Sequence, residues 1–600
     1  MMRYIWLILL MLCATDVWGA TYYVTQAGSG GDDGSTYADS DDITEFNAGG
    51  GVYADLENDI VYFCDTITTA IVIPVSGSAD NLVTLRGDEA TYPGTLDAGD
   101  SNDHCIEMNG TDYIVIDGFT MQDAVETAVD GIGASTNISV QNCTFTGNDN
   151  GDVDIEGSGN QYWTVDNNTI TSPTDGIGID VRLGADNITI TNNTITGGAY
   201  GIRVGNNYAS QCTDVATPVA CCSGLDVGTC EVSNNITITG NTIDDSGDGT
   251  GTTHPIQVFV DGTSDNYIVS NNIVTNPADD VDCMELAWQG NPASVVVDGN
   301  TITNDTTNDG DYGIVVDMFA TGVATITNNY IEDIPSGGIH LQGSIGSTIA
   351  YNYIKDSGFA QNTNCTDSVI PWNCCTGSGT GTCEEFPAID IESRDFLTGE
   401  STVEDVNIYY NVIDGCGRGI GLNVRDALTL DGTEIYNNTI SGVYGDYSTV
   451  GASIYAYVTS GTMSGLTIRN NIISNDTPAY TIAVSAGAHT SFAASNNIYY
   501  GASTNGWFFN GSAYADIADW RTNSGDTITL VSDPAFVSAG TDFHLTSASP
   551  AKDTGTDVSL STDYDGINVP QGAGVDSGAY EYFGTTYIQG ATSLNGVTIQ

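Results

Sequence analysis

The sequence predicts an all-β fold: a single-stranded right-handed parallel β-helix, a solenoid, with two disulfide-stapled loop insertions. Three observations predict it. An Asn-containing turn recurs at near-regular steps, a short Gly-Ile-x-apolar strand follows most copies, and two groups of cysteines repeat one spacing. A chain of 600 residues would ordinarily divide into several domains. A solenoid escapes that rule because it lengthens without needing a thicker core.

The turn appears as Asn167-Asn168-Thr169-Ile170, Asn192-Asn193-Thr194-Ile195, Asn328-Asn329-Tyr330-Ile331 and Asn437-Asn438-Thr439-Ile440. Its second position falls at Cys143, Asn168, Asn193, Asn241, Asn272, Asn300, Asn329, Asn352, Asn411, Asn438, Asn471 and Asn497. Nine of the steps lie between 23 and 33 residues, the length of one coil, and the other two are 48 and 59. Each long step contains one cysteine group. Many of these asparagines fit Asn-x-Thr, the glycosylation acceptor pattern. A corner Asn more simply tolerates the left-handed backbone and stacks its amide along the helix, and that ladder is the expected role.

The strand reads Gly176-Ile177-Gly178-Ile179, Gly201-Ile202-Arg203-Val204, Gly338-Ile339-His340-Leu341 and Gly419-Ile420-Gly421-Leu422. Alternation with period two sets the aliphatic side chains on one face, and no helical period intervenes. Parallel strands joined in one sense give a right-handed coil.

In the cysteine groups, Cys212, Cys221, Cys222 and Cys230 are echoed by Cys365, Cys374, Cys375 and Cys383. Zinc is the rival to disulfides, but adjacent cysteines in an exported chain favour disulfides, with the connectivity open. Export is expected from residues 1–19, with Arg3, the apolar run Ile5 to Cys13 and the cleavage site Val17-Trp18-Gly19 reading as a signal peptide. The protein is therefore expected to be secreted or at the cell surface. No later run is apolar for the roughly 18 residues a membrane span needs. The expected organisation is an N-terminal cap and first coils over 20–104, and coils over 105–500 with insertions at 212–230 and 365–383. A C-terminal capping module over 501–582 and a tail over 583–600 follow.

Charge narrows the partners. With 77 acidic and 11 basic residues, a net charge of −66, nucleic acid and anionic membranes are repelled. Clustered carboxylates are the hard ligands of Ca²⁺, the one cofactor expected. Registering the strands places a mixed set of polar side chains on one outward face: Arg203, Gln257, Glu285, Asp317, His340, Gln342, Asp390, Glu392, Arg394, Asn423, Arg425, Tyr455 and Tyr457. Outside the signal the chain has ten Lys and Arg, and Arg182, Arg203, Arg394 and Arg425 all fall on this face. Pairing with neighbouring acids is the plainer account of such arginines, worth about 0–1 kcal/mol each at a surface.

Several stretches resemble a known group. Thr21-Tyr22-Tyr23-Val24, with the acidic Gly-rich residues to Gly34, resembles the opening of secreted pectate-lyase-like β-helix proteins, and Tyr113 to Phe119 resembles their first regular coil. Ser532-Asp533-Pro534-Ala535-Phe536, Asp563-Tyr564-Asp565-Gly566 and Gly578-Ala579-Tyr580-Glu581 are similar to the terminal module of bacterial β-helix proteins often called choice-of-anchor. Such proteins include lyases, hydrolases, epimerases and non-enzymatic surface proteins, so the resemblance implies architecture rather than one chemistry.

The expected function is binding of an extracellular polysaccharide along this face, with catalysis open. Arg203, Gln257, Glu285, Gln342, Asn423, Tyr455 and Tyr457 are the candidate sugar contacts. If the protein is a Ca²⁺-dependent polysaccharide lyase, Asp317, His340, Glu392, Arg394 and Arg425 would be catalytic. Asp317, Asp390 and Glu392 would then hold the ion that neutralises a uronate. Thr174-Asp175-Gly176 resembles the first motif of polygalacturonases, but their Gly-His-Gly and Arg-Ile-Lys motifs are missing. A third reading is a non-catalytic adhesive or structural surface protein.

Overall fold

A computed structural model of the chain describes residues 19–584 except 32, 100, 206–232, 248–252, 261–263, 278–280, 289–291, 305–311, 319–321, 359–386, 394–401, 425–427, 445–451, 475–476, 479, 489 and 502–505. The signal peptide, both cysteine groups and most of the tail lie outside the described residues. The described cysteines, Cys64, Cys105, Cys143, Cys283 and Cys416, are buried. Among the described residues no helix is long and apolar enough to cross a membrane.

The chain divides into two compact units, Met1–Ile195 and Thr196–Gln600, each built as a coil of parallel strands. Three strands make one turn of the coil and belong to three separate sheets. In the second unit one turn consists of Ala324–Thr327 in the first sheet, Tyr330–Glu332 in the second and Gly337–Gln342 in the third.

Successive turns align in register, so one inward residue per strand becomes a stack. The first sheet stacks Ile326, Ile349, Ile408, Ile435 and Ile468. The second stacks Ile331, Ile354, Ile413, Ile440 and Ile473. The third stacks Ile339, Ile389, Ile420, Ile454 and Ile482. All are at most 1% exposed. A β-branched side chain packs well on a pleated surface, and repeating it every turn gives each coil the same neighbour above and below.

The Asn turn lies between the first and second sheets, and its two asparagines divide the expected work. The first adopts the left-handed conformation, as at Asn167 (φ 55°), Asn328 (φ 56°) and Asn437 (φ 54°). The second points inward. Asn411 donates from its backbone N and its Nδ2 to the Oδ1 of Asn438 at 2.9 Å each, and from Nδ2 to the carbonyl of Ile349. The same pattern links Asn241, Asn272, Asn300, Asn329, Asn352, Asn411, Asn438, Asn471 and Asn497, and in the first unit Asn168 and Asn193. These inner amides are spent on the ladder and are closed to glycosylation. Each would otherwise be a buried unsatisfied group costing about 1–3 kcal/mol.

The ends are closed by aromatic packing. In the first unit the helix Ile43–Ala48, capped by Asp42, sets Phe46 edge-on against Phe63, with ring centroids 5.0 Å apart. In the second, the helix Ile517–Ser524 lays the fully buried Trp520 against Trp507 and Phe509. The segment after it turns back along the side of the coil. There the outer asparagines of the last turns, Asn437, Asn470 and Asn496, donate to the carbonyls of Asp576, Thr556 and Thr554.

Candidate functional site

The third sheet of the second unit carries the face that the sequence singles out, in two outward columns. One runs Arg203, Gln257, Glu285, Val315, His340, Asp390, Gly421, Tyr455; the other runs Ala287, Asp317, Gln342, Glu392, Asn423, Tyr457. Neighbours in a column stand about 4.8 Å apart, the parallel-strand spacing.

Around His340 these side chains interlock. Its Nδ1 lies 3.2 Å from Asp390 Oδ2, and its Nε2 lies 3.5 Å from Asp317 Oδ1. Asp390 Oδ2 also accepts from the Tyr312 hydroxyl at 3.3 Å, and Oδ1 accepts from Asn423 Nδ2 at 2.9 Å. Asn423 Nδ2 reaches the Tyr455 hydroxyl as well, at 3.3 Å. His340, Asp390, Glu392, Asn423 and Tyr455 are all buried, whereas the Asp317 side chain keeps 21% of its surface. Burial alone would lower the imidazole pKa. The hydrogen bond to Asp390 and the charges of Asp317, Asp390 and Glu392 outweigh it and push the group up to about 9. His340 is therefore an imidazolium at neutral pH. Burial, with the charge of Asp390, raises Tyr455 to about 12, against the pull of Arg418 and Asn423.

Two glycines make room for the two tyrosines. A Cβ on Gly337 would stand 2.6 Å from Cε1 of Tyr312, and one on Gly421 would stand 2.5 Å from the Tyr455 hydroxyl. Tyr312 leans across Gly337 and Tyr455 across Gly421, so the two phenols approach Asp390 and Asn423 from opposite directions along the coil axis.

The structure brings Asp317, His340, Asp390, Glu392, Asn423 and Tyr455 into one cluster, with Gln342 fully buried between Asp317 and Glu392 in the column. Tyr457 is 40% exposed at the end of its column. Arg394 and Arg425 lie outside the described residues. Gln257 and Glu285 belong to a separate cluster about two coils away. There Glu285 Oε2 lies 3.0 Å from His254 Nε2 and accepts from Gln257 Nε2 at 2.6 Å. Arg203 lies over the ring of Tyr200, 5.1 Å from its centre.

Tyr312 and Arg418 were not among the sequence candidates. Both stand just before the Gly-Ile pair of their strands, in Tyr312-Gly313-Ile314 and Arg418-Gly419-Ile420. That position forms a further column at the strand start, with Tyr312 opposite Gly337 and Pro387 opposite Arg418. Reading outward residues only after the Ile passes over it.

His340, Asp390 and Glu392 offer ligand atoms within 4.8 Å of one another and could hold a metal ion. The Ca²⁺ expected at Asp317, Asp390 and Glu392 does not fit. Ca²⁺ takes roughly six to eight oxygens, whereas here an imidazole stands between Asp317 and Asp390, and both Asp390 oxygens already accept hydrogen bonds.

Residues 100–274 and 181–341 match the family described as "Right handed beta helix region". The comparison with curated proteins returns no match. Among solved structures the chain is similar to the PL6 family polysaccharide lyase of Pseudopedobacter saltans, at 11% identity and a TM-score of 0.37, covering 86% of this chain and 97% of that one. It is also similar to a mannuronic acid specific family 6 lyase from human gut microbiota, at 12% identity and 0.36, covering 86% and 92%. A third is the GH136 lacto-N-biosidase of Eubacterium ramulus, at 11% identity and 0.32, covering 85% and 68%. The protein is a right-handed parallel β-helix, on the strength of its three parallel sheets and the matching region.

Proposed function

We propose that the protein is exported and binds an extracellular polysaccharide along the outward face of the third sheet of the Thr196–Gln600 unit, with proton transfer at His340. The arrangement that carries this reading is the Asp390–His340–Asp317 series. Asp390 fixes the imidazole through Nδ1 and is itself held by Tyr312 and Asn423, so Nε2 is aimed at the partly exposed Asp317. A clamped imidazolium beside a carboxylate can give a proton to a glycosidic oxygen while the carboxylate receives one from water or from sugar carbon. The exposed Tyr457 ring, in register with Asn423, offers an apolar platform for a pyranose at the edge of the site.

The same geometry serves hydrolysis or β-elimination, and the products separate them. Purified protein is incubated with a panel of neutral, uronate-containing and sulfated polysaccharides. New reducing ends, ultraviolet absorbance of an unsaturated product and retention on immobilised glycan are then read. The expected result is binding to at least one polysaccharide, with His340→Gln lowering product formation about 100-fold or more while binding persists. Equal product yield and equal binding in wild type and His340→Gln would sink the reading. The donor set further implies that a chelator of Ca²⁺ leaves activity at this site unchanged.

A further inference from the structure

Basic side chains are scarce in this chain, 11 against 77 acids, and the described ones commonly sit on a carboxylate. Arg86, Arg182, Lys355 and Arg469 all do so. Arg418 does not. It is 4% exposed, takes part in no ion pair among the described residues, and its Nε has no hydrogen-bond partner. Its nearby charge-accepting group is the ring of Tyr455, whose centre lies 5.5 Å from the guanidinium carbon. A cation kept from water without a counter-ion is costly, and such groups persist where a ligand supplies the missing charge.

Its position gives that absence a purpose. Arg418 opens the strand Arg418–Val424, whose outward residues Gly421 and Asn423 underlie and contact Tyr455, and Asn423 also holds Asp390. The guanidinium is thus joined through Tyr455 and Asn423 to the residue that orients His340. We propose that Arg418 is an anion-binding subsite that takes the carboxylate or sulfate group of an acidic sugar, making the polysaccharide bound here an anionic one. This rests on the glycan-binding reading above and adds the charge of its substrate. Against a chain of net charge −66 the guanidinium supplies one local attraction for an anionic polymer without a bridging metal.

The test compares binding of oligouronates, sulfated oligosaccharides and neutral oligosaccharides of equal length by titration calorimetry, at low and raised salt. The wild type is expected to bind one anionic class at least tenfold more tightly than the neutral one, with the advantage shrinking as salt screens it. The class that binds tells carboxylate from sulfate. Arg418→Gln is expected to abolish the advantage without lowering the melting temperature, since it removes a buried charge that has no counter-ion. Arg418→Lys, a point charge without the planar fork, is expected to restore part of it. Glycan binding without preference for an anionic sugar, or an advantage that survives Arg418→Gln, overturns the proposal and leaves the glycan reading standing. Failure to bind any sugar in the panel overturns both.

Discussion

Arg182 and Arg418 belong to different units of the molecule, each on a strand of its unit's third sheet, and their surroundings are opposite. Arg182 touches three carboxylates, Asp154, Glu156 at 2.9 Å and Asp180 at 2.9 Å. Arg418 touches none among the described residues and rests on an aromatic ring. The first relieves crowded negative charge; the second waits for charge from elsewhere. A residue type on a given face therefore does not declare its role, and what separates the two is the sign and number of the neighbours on its own strand and on the adjoining coils.

The largest expected effect breaks the first half of that contrast. Arg182→Gln leaves Asp154, Glu156 and Asp180 facing one another and should lower stability by about 2 kcal/mol, read from the urea midpoint. Asp154 sharpens it. Burial, with the charge of Asp180, raises this carboxyl to about 7 against the pull of Arg182. Its folded pKa is above the unfolded one, so its contribution is present below about pH 4 and is lost as pH rises through 7. Arg182 pulls this pKa down, so without it the carboxyl ionises only at higher pH; the Arg182→Gln deficit should therefore widen as pH rises through 7 and above, and a deficit constant with pH would refute it. Arg418→Gln, by contrast, should not lower the midpoint.

A smaller effect probes the second half. Gly421→Ala puts a methyl where the Tyr455 ring lies, displacing the phenol from Asn423 and Arg418. Glycan affinity should fall about tenfold, the worth of roughly one hydrogen bond to a charged network. Unchanged affinity would show that Tyr455 merely covers the face.

The smallest effect concerns His254, the closed counterpart of His340. Burial opposes its protonation, but the charge and hydrogen bond of Glu285 outweigh it and set the imidazole near 9. Its contribution is full below about pH 6.5 and disappears as pH rises through 9. His254→Gln should cost about 1 kcal/mol at pH 6, a modest figure because the Glu285 side chain is 24% exposed, and nothing at pH 10. A cost independent of pH would assign His254 a packing role alone.

The coil, its period and its inward Ile columns were legible because each recurs every turn, and repetition makes register readable. The double Asn was read as one residue doing two jobs, since spacing alone does not show which amide turns inward. His340, Asp317, Asp390, Glu392 and Asn423 were legible as outward neighbours by alternation. Tyr312 and Arg418 were not, because alternation fixes direction only within a strand and they stand at its start. The carboxylates suggested Ca²⁺ because a list of acids does not reveal that an imidazole lies between Asp317 and Asp390 and belongs to the one compact ligand set.

The inner Asn ladder has an electrical consequence. From Asn241 to Asn497 each amide donates to the one that follows, so the amide-to-amide hydrogen bonds all point the same way. Bonds aligned in series polarise one another, and their small dipoles accumulate. The last donor, the backbone N of Asn497, passes to the hydroxyl of Thr529, which in turn donates to Asp526. Asp526, buried beneath Trp520, thus places a carboxyl where the series of donors ends, as an acidic residue does at the positive end of an α-helix; burial holds that carboxyl above the usual carboxylate range.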